Sequence, residues 1–255
     1  MKSKKFKLST IVFYSVFIAI ALVLPNMAFA TPVPDTGQTK CYDSSQEIPC
    51  PQPGEPYYGQ DAQYIINPPS YTKLDANGND LPDSAATWAM VRDNVTGLIW
   101  EMKTNYDGIP NYSDIHDADV GYTWYDSNPV TNGGNAGTPG NGTDTDDFIN
   151  TLNNAHFGNF SDWRLPAAKE WGTITNHSDI YSIPINLNFF PNTNPTLYWT
   201  SNTVVQNNSV AWIVSFTPHA GYIYDGGLKA GTLAVRAVRG IKPSNNFRDN
   251  DPRDF

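Results

Sequence analysis

The sequence predicts a domain of the α+β class over residues 86–242, with short strands, two short helices and long loops. Short β-like runs alternate in this region with clusters of turn residues, and two stretches carry the start signals of helices. All seven tryptophans of the chain also fall here. A segment of this length and composition is sufficient for a single hydrophobic core.

Five segments of this region are predicted to be strands. "WAMVR" (residues 88–92) and "LIWEM" (98–102) form a hairpin, because the Asp, Asn and Gly residues between them are typical of a turn. The other three are "TLYWTS", "SVAWIVSF" and "LAVRAVRG", which begin at residues 196, 209 and 233.

The two predicted helices run from about residue 146 to 156 and from about 166 to 175. Pro166 suits the first position of the second helix, where its missing N–H has no helical partner to lose. The first helix follows a Gly- and Asn-rich loop and begins beside three carboxylates, which cap it and complement its dipole: Asp144, Asp146 and Asp147.

Residues 1–30 have the pattern of a signal peptide. Four lysines precede an apolar run, and Ala28 and Ala30 give the small-x-small cleavage pattern, so the mature chain is expected to begin near Thr31. The alternative is an uncleaved membrane anchor, but the strongly apolar part falls short of the roughly 20 residues of a spanning helix. We therefore expect export to the periplasm or the cell exterior, with no membrane span after cleavage.

The expected mature chain is strongly acidic. Removal of the four leader lysines changes the formal net charge from −9 to −13. Such a surface disfavours nucleic acids and sulfated polyanions, whose binding depends on Lys and Arg. The alternative is that this charge only keeps an exported protein soluble.

Residues 31–85 are predicted to form a proline-rich lead-in with little core of its own. Cys41 and Cys50 are the only cysteines, and in an oxidising compartment they are expected to form a local disulfide. Their spacing does not match a C-x-x-C redox motif, and a zinc site would need more ligands. At the other end of the chain, residues 243–255 are expected to be disordered.

Calcium is a candidate ligand of the lead-in. Oxygen-bearing side chains alternate along "LDANGNDLPDS", as they do in calcium loops, at Asp75, Asn77, Asn79 and Asp83. However, the glycine falls at the fourth position rather than the sixth, and no Glu closes the loop. The alternative is a turn between two extended segments. The acidic end of the loop at residues 132–147 is a weaker calcium candidate.

The nine residues "WRLPAAKEW" (163–171) concentrate charge between two tryptophans. We expect Arg164 to pair with Glu170 or Glu101, in a partly buried ion-pair network with Arg236 or Arg239, because an unpaired charge in an aromatic core is costly. The alternative is catalytic, with Glu170 as general base and Arg164 as an anion clamp. No G-x-S-x-G motif or metal-binding histidine spacing accompanies it, so the sequence favours a structural role.

The ordered segments "VRDNVTGLIWE", "FGNFSDWRLPAAKEW", "YWTSNT", "AWIVSF" and "VRAVRG" resemble the C-terminal domain family of the Legionella collagen-like protein over roughly residues 86–242. "WRLPAAKEW" and "AVRAVRG" are also similar to motifs of the formylglycine-generating-enzyme family. This resemblance implies a C-type-lectin-like fold with small antiparallel sheets. The chain departs from the pattern after the second helix and at "FTPHAGYIYDGG", and it lacks the cysteines on which the enzymatic relatives depend.

If the scaffold is inert, the loops carry the function. They are rich in Asn, Asp, Ser, Thr and Tyr, which suit hydrogen bonding to sugars and stacking on them. The ligand-binding candidates are Tyr112, Trp124, Tyr125, Tyr181, Tyr222 and Tyr224. We assign five other tryptophans to the core: Trp100, Trp163, Trp171, Trp199 and Trp212.

The leading hypothesis is an exported, non-enzymatic recognition module that binds a glycan or another cell-surface ligand, with calcium as an optional cofactor. The resemblance implies an adhesin role, because the family's namesake is a surface protein that binds sulfated glycosaminoglycans. We do not expect this chain to bind a sulfated glycosaminoglycan, because a net charge of −13 repels an anionic polymer. The alternative is a structural or assembly subunit of an envelope or extracellular complex. The sequence does not decide whether the chain forms a homo-oligomer.

Overall fold

The structure is a computed structural model that describes residues 32–178, 182–218 and 223–240. The predicted signal peptide and the predicted disordered tail lie outside the described residues. Within these ranges the chain folds into small sheets with few helices, which is the expected α+β class. In the same ranges, no helix has both the length and the apolar composition needed to cross a membrane.

The strands, in chain order, are short. They are β1 (Cys41–Tyr42), β2 (Glu47–Ile48), β3 (Tyr71–Leu74), β4 (Met90–Asp93), β5 (Ile99–Glu101), β6 (Gly121–Thr123), β7 (Leu197–Thr203), β8 (Val210–Ser215), β9 (Ile223–Leu228), β10 (Thr232–Ala234) and β11 (Val238–Arg239). The two α-helices are α1 (Thr145–Asn154) and α2 (Ala168–Gly172).

The described strands form three sheets. β1 and β2 pair only with each other, β6-β10-β7-β8-β9 form a five-stranded sheet, and β11-β5-β4-β3 form a four-stranded sheet. All pairings are antiparallel except β10 with β7. The predicted hairpin of residues 88–102 is confirmed as β4 and β5, with Val91 opposite Trp100.

The prediction of one strand over "LAVRAVRG" is wrong, because the segment serves both larger sheets. β10 lies between β6 and β7, whereas β11 is an edge strand beside β5. Between them, the N–H of Ala237 donates to the Glu101 carboxylate at 2.9 Å instead of to a neighbouring strand. This buried side-chain acceptor interrupts the ladder and lets the chain cross from one sheet to the other.

Five strands were not predicted: β1, β2 and β3 in the proline-rich lead-in, β6, and β9 in an expected loop. The pair Gly226–Gly227 within β9 is typical of a turn in the sequence, but in the structure it allows close packing. A Cβ on Gly227 would lie 2.4 Å from Trp199 Cζ3, so only glycine lets the indole pack against this strand. Leu74 of β3 is completely buried in the main core, so the end of the lead-in is part of the domain's sheet.

The helices begin where side chains can accept their first N–H groups. Asp144 caps α1 by accepting from the N–H groups of Asp146 and Asp147, both at 3.0 Å. The helix α2 is shorter than predicted, and Pro166 lies before it rather than at its first position. Its N-cap is Ala167, whose N–H donates to the Glu170 side chain at 2.7 Å.

The aromatic core agrees with the sequence-based assignment. All five tryptophans assigned to the core are at most 3% exposed: Trp100, Trp163, Trp171, Trp199 and Trp212. At the N-terminal side of the domain, a disulfide joins Cys41 to Cys50 across the β1–β2 hairpin. The lead-in also contacts the segment after α2, where the His177 N–H donates to the Thr36 carbonyl.

Candidate functional site

A surface cleft of about 320 Å³ lies where the end of β6, the start of α1 and the segment before α2 meet. We call it the aromatic cleft. It is lined by Trp124, Tyr125, Asp126, Thr145, Asp146, Ile149, Arg164, Leu165 and Ser201. Two of the six predicted ligand-binding residues, Trp124 and Tyr125, therefore lie together.

Trp124 is a buried wall of this cleft rather than an exposed contact residue, which corrects the expectation for it. Only 7% of the residue is exposed. Its indole Nε1 donates to the Thr200 carbonyl at 2.8 Å, and the Lys229 ammonium lies 4.2 Å from a ring centroid. Tyr125 is half-buried, and its backbone N–H donates to the Thr145 hydroxyl. The aromatic group available at the surface is therefore Tyr125.

Two carboxylates adjoin Tyr125 in the cleft. Asp126 accepts hydrogen bonds from the Asn128 N–H and the Thr131 hydroxyl, and its Oδ2 lies 3.6 Å from Lys229 Nζ. Asp146 lies in the first turn of α1, where partial burial, and then the neighbouring charges of Asp144 and Asp147, raise its pKa. Asp146 accepts one side-chain hydrogen bond, from Asn150. The cleft therefore places carboxylate acceptors beside an aromatic ring.

Arg164 also lines the cleft, but its guanidinium is held by Glu170. The two Nη atoms donate to the two carboxylate oxygens at 2.7 and 2.6 Å. Glu170 is 1% exposed, and its Oε2 also accepts the Ala167 N–H. Both oxygens of Glu170 are thus already bonded in the folded protein.

The other three residues of the expected network belong to two separate clusters. Arg239 pairs with Asp162 at 2.7 Å and stacks on Phe160, with 3.8 Å from its guanidinium carbon to the ring centroid. Arg236 is completely buried, and it donates to the backbone carbonyl of Glu101 rather than to its carboxylate. The expected single network is therefore divided into separate clusters.

The Glu101 carboxylate is the centre of a buried charge cluster. Its Oε1 lies 3.1 Å from Lys103 Nζ and 2.8 Å from His116 Nδ1. Burial alone would raise the pKa of Glu101, but Lys103, His116 and the Ala237 N–H together lower this pKa to about 2. In the opposite direction, burial lowers the pKa of Lys103, while Glu101 partly restores it. Glu101 is therefore ionised and stabilises two neighbouring donors.

Comparison with known protein families shows the family of this chain. The model of the Lcl C-terminal domain family matches residues 89–239, which is more than half of the chain. The chain belongs to this family. Neither a curated protein nor a solved structure gives a match to the chain. The family of the Legionella collagen-like protein's C-terminal domain, expected from the sequence motifs, is thereby confirmed.

The calcium candidates of the lead-in form a hydrogen-bonded turn. Asp75 Oδ1 accepts the N–H groups of Asn77 and Asn79, and Asp75 Oδ2 accepts the Asn79 side-chain amide. The backbone carbonyl of Asp83 accepts a hydrogen bond from Lys73 Nζ. In the described part of the chain, no group of three or more acidic, His or Cys residues is arranged to hold a metal. These residues therefore form a turn between two extended segments, which was the predicted alternative to a calcium loop.

The remaining ligand candidates of the Lcl domain do not line the aromatic cleft. Tyr112 is 80% exposed on the loop between β5 and β6. The backbone of Tyr224 lies in β9, opposite Ile213. Tyr181 and Tyr222 lie outside the described residues.

Sequence reasoning missed the polar residues that complete these sites in the Lcl domain. Lys103 was not singled out, although it stands two residues after Glu101, a spacing that places both side chains on one face of an extended chain. Asp126 was also missed, because it reads as an ordinary loop residue. Only the folded chain shows that it adjoins Lys229.

Proposed function

We propose that this Lcl domain is an exported, non-enzymatic recognition module that binds a glycan through the aromatic cleft. The observation that carries the proposal is the grouping of the Tyr125 ring with the carboxylates of Asp126 and Asp146 in one surface cleft. An aromatic ring packs against the apolar face of a sugar, while carboxylates accept hydrogen bonds from its hydroxyl groups.

The charge of the protein favours a neutral glycan. The mature chain would carry a net charge of −13, and both carboxylates of the cleft add negative potential where the ligand binds. Like charges in an interface disfavour binding. A sulfated polymer is therefore a poor ligand, although the family's namesake binds one.

Three features support export, and a fourth supports a lectin-like role. The N-terminal leader pattern, the disulfide between Cys41 and Cys50 and the family membership all fit a protein of an oxidising compartment. The long irregular connections around β6 supply Tyr125 and Asp126, as expected for a C-type-lectin-like domain. This fold relationship is part of the proposal.

The absence of enzymatic activity is also part of the proposal. Glu170, the one candidate base in the charged nine-residue segment, already has both oxygens bonded. Both cysteines are in the disulfide and cannot act as nucleophiles. A general base must lie within hydrogen-bond reach of the proton that it removes, and Glu170 is only 1% exposed.

A glycan array tests the proposal with the purified protein. We expect neutral glycans to bind, and Tyr125→Ala to weaken that binding about tenfold through loss of the stacking surface. Tyr112→Ala is the matched control, because this tyrosine is more exposed and lies outside the cleft. Equal losses in the two variants, or binding confined to sulfated glycans, would contradict the proposal.

A structural or assembly subunit is the second candidate function. The lead-in exposes apolar side chains, with both Ile65 and Ile66 76% exposed and Tyr64 51% exposed. Exposed apolar groups that lie together are typical of protein–protein contacts. If the array shows no ligand, and envelope proteins co-purify with the wild type but not with an Ile65→Ser/Ile66→Ser variant, this second function is favoured.

A further inference from the structure

A second cleft, of about 360 Å³, lies next to the start of β4 and the end of β5. We call it the histidine cleft. It is lined by Ala86, Thr87, Trp88, Ala89, Met102, Lys103, Thr104, His116, Phe157, Pro191 and Asn192. None of these residues lines the aromatic cleft, so the two are separate.

The walls of the histidine cleft are mostly apolar. Trp88 and Phe157 are half-buried, and Met102 is 7% exposed. The polar atom of the Trp88 indole is already satisfied, because Nε1 donates to the Phe189 carbonyl at 3.0 Å. Ligand sites in proteins are typically clefts of this size, lined by apolar and aromatic side chains with a few polar groups that fix the ligand's orientation. The cleft is therefore suited to a small organic molecule.

Lys103 does not offer its charge to this cleft. The residue is 2% exposed, and its ammonium lies 3.1 Å from Glu101 Oε1 and 4.7 Å from the centroid of the Phe148 ring. Neither Glu101 nor Phe148 lines the cleft. The ammonium has no hydrogen bond beyond the ion-pair contact with Glu101, but it is covered by protein atoms. An anionic ligand therefore gains no contact with Lys103.

His116 is a polar group that does face the cleft. Its Nδ1 lies 2.8 Å from Oε1 of Glu101, which is completely buried, whereas 19% of the His116 side chain is exposed. The two nitrogens are on different edges of the imidazole ring. Nε2 therefore points away from Glu101 and toward the cleft that His116 lines. Within the described ranges of the chain, Nε2 has no hydrogen-bond partner.

The contact with Glu101 fixes the proton of His116 on Nδ1. Glu101 is ionised, because its pKa is about 2, and an ionised carboxylate only accepts hydrogen bonds. Nδ1 must therefore donate, and Nε2 of the neutral ring is an acceptor. The His116 ring also packs against Phe157, with 4.4 Å between the ring centroids. Both contacts hold the imidazole in one orientation, so the cleft presents a fixed acceptor.

Asn192 brings a second acceptor to the same cleft. Its side-chain Nδ2 donates to the backbone carbonyls of Lys103 and Thr104. The other atom of the amide, Oδ1, accepts no hydrogen bond from the residues that the structure describes. His116 and Asn192 therefore both offer acceptors, and acceptors select a ligand that can donate a hydrogen bond.

We propose that the histidine cleft binds a small, uncharged aromatic molecule that carries an N–H or O–H group, of the indole or phenol class. The N–H or O–H donates to His116 Nε2, and the aromatic ring packs on Trp88, Met102 and Phe157. Ring contacts of this kind stabilise a complex beyond the area that they bury. This site goes beyond the glycan proposal and does not depend on it.

An NMR titration of the purified, ¹⁵N-labelled protein with indole and with benzofuran tests the site. Benzofuran has nearly the same shape as indole, but an oxygen replaces the N–H group. We expect indole to bind about tenfold more tightly, because benzofuran leaves the His116 acceptor without a donor. Equal affinities for the two probes, or no indole binding at all, would overturn the proposal.

His116→Phe tests the acceptor itself. Phenylalanine keeps a flat ring beside Phe157 but has no acceptor atom. We expect the variant to bind indole about tenfold more weakly than the wild type does, while its affinity for benzofuran changes little. A preference for indole that survives His116→Phe would show that another group binds the N–H, and it would refute the assigned site.

A second variant keeps the test valid if His116→Phe does not fold. Ala86 is exposed and lines the cleft, so Ala86→Trp should block it without touching the buried ion pairs. The matched control is Ala136→Trp, at an exposed alanine outside both clefts. We expect loss of indole binding in the first variant and wild-type binding in the control. Indole binding that persists in Ala86→Trp would place the probe elsewhere and contradict the proposal.

Discussion

Arg164 and Glu170 are joined by two parallel hydrogen bonds, Nη1 to Oε2 at 2.7 Å and Nη2 to Oε1 at 2.6 Å. Arg164 follows the core residue Trp163, and Glu170 lies in α2, so the pair fixes the helix against the segment that precedes it. Because Glu170 also accepts the Ala167 N–H, one carboxylate both caps α2 and neutralises Arg164.

We expect Glu170→Gln to destabilise the domain by about 3–5 kcal/mol, because it leaves the guanidinium without its anionic partner in a mostly buried site. The free energy of unfolding, measured by urea denaturation, checks this value. Asp80→Asn is the matched control, because the Arg92–Asp80 pair has the same two-bond geometry at an exposed site.

The control should cost no more than about 1 kcal/mol, as is typical of surface ion pairs. Equal costs for the two substitutions would show that burial does not decide the strength of the Arg164–Glu170 pair. An enzymatic turnover that Glu170→Gln abolished without unfolding the protein would contradict the non-enzymatic proposal.

The Glu101 carboxylate should make stability depend on pH in the acid range. Its pKa is about 2 in the folded protein and 4.5 in the ordinary state, so the unfolded chain takes up the proton first as the pH falls. The stabilisation is therefore complete above about pH 4.5 and is lost progressively toward pH 2.

Glu101→Gln tests this dependence. At pH 7 the variant should be less stable by about 3–5 kcal/mol, because Lys103 is left buried without its counter-charge. The difference from wild type should shrink as the pH falls, in urea denaturation at several pH values. Glu47→Gln, at an exposed pair with Lys40, is the control. A difference that stayed constant with pH would show that Glu101 is not the group that titrates.

The N-cap of α1 should contribute measurably to stability. Asp144 accepts the N–H groups of Asp146, Asp147 and Thr138, so Asp144→Ala removes the cap and a bond to the preceding loop. We expect a loss of about 1–2 kcal/mol in thermal unfolding, with faster hydrogen exchange at the first turn of α1. Asn154→Ala, at an exposed position of the same helix, should change little. Equal effects would argue against a specific cap.

Calcium should not stabilise the turn at Asp75, because N–H groups already bond to both oxygens of that carboxylate. We expect the same melting temperature in millimolar calcium and in chelator. A bound ion would add roughly 2.7 kcal/mol at a hundredfold excess over its Kd. A calcium-dependent rise in melting temperature that Asp75→Asn removed would reinstate this loop as a metal site.

The sequence predicted the elements whose signals are local. The hairpin of β4 and β5 has a turn between two apolar runs, and both helices have start signals in their own sequence. The division of residues 233–240 between two sheets could not be predicted, because it depends on the distant Glu101 carboxylate. β9 was missed because Gly227 serves contact with Trp199 rather than a turn.

The candidate sites were predictable only in part. The ring of Tyr125 could be nominated from the clustering of aromatic residues, but the burial of Trp124 follows from a hydrogen bond to Thr200, far along the chain. The unsatisfied ammonium of Lys103 was not predictable either. A shortage of acceptors is a property of the packed interior and has no signature in one stretch of sequence.

The segment of residues 232–239 supplies an inner strand to one sheet and an edge strand to the other. It is also the last described part of the chain to be made on the ribosome. A nascent chain therefore cannot complete either sheet until this segment has emerged, and pairings that span most of the sequence form slowly. The unfinished polypeptide should stay loosely structured throughout translation, the condition in which a chain can still be threaded through a narrow pore.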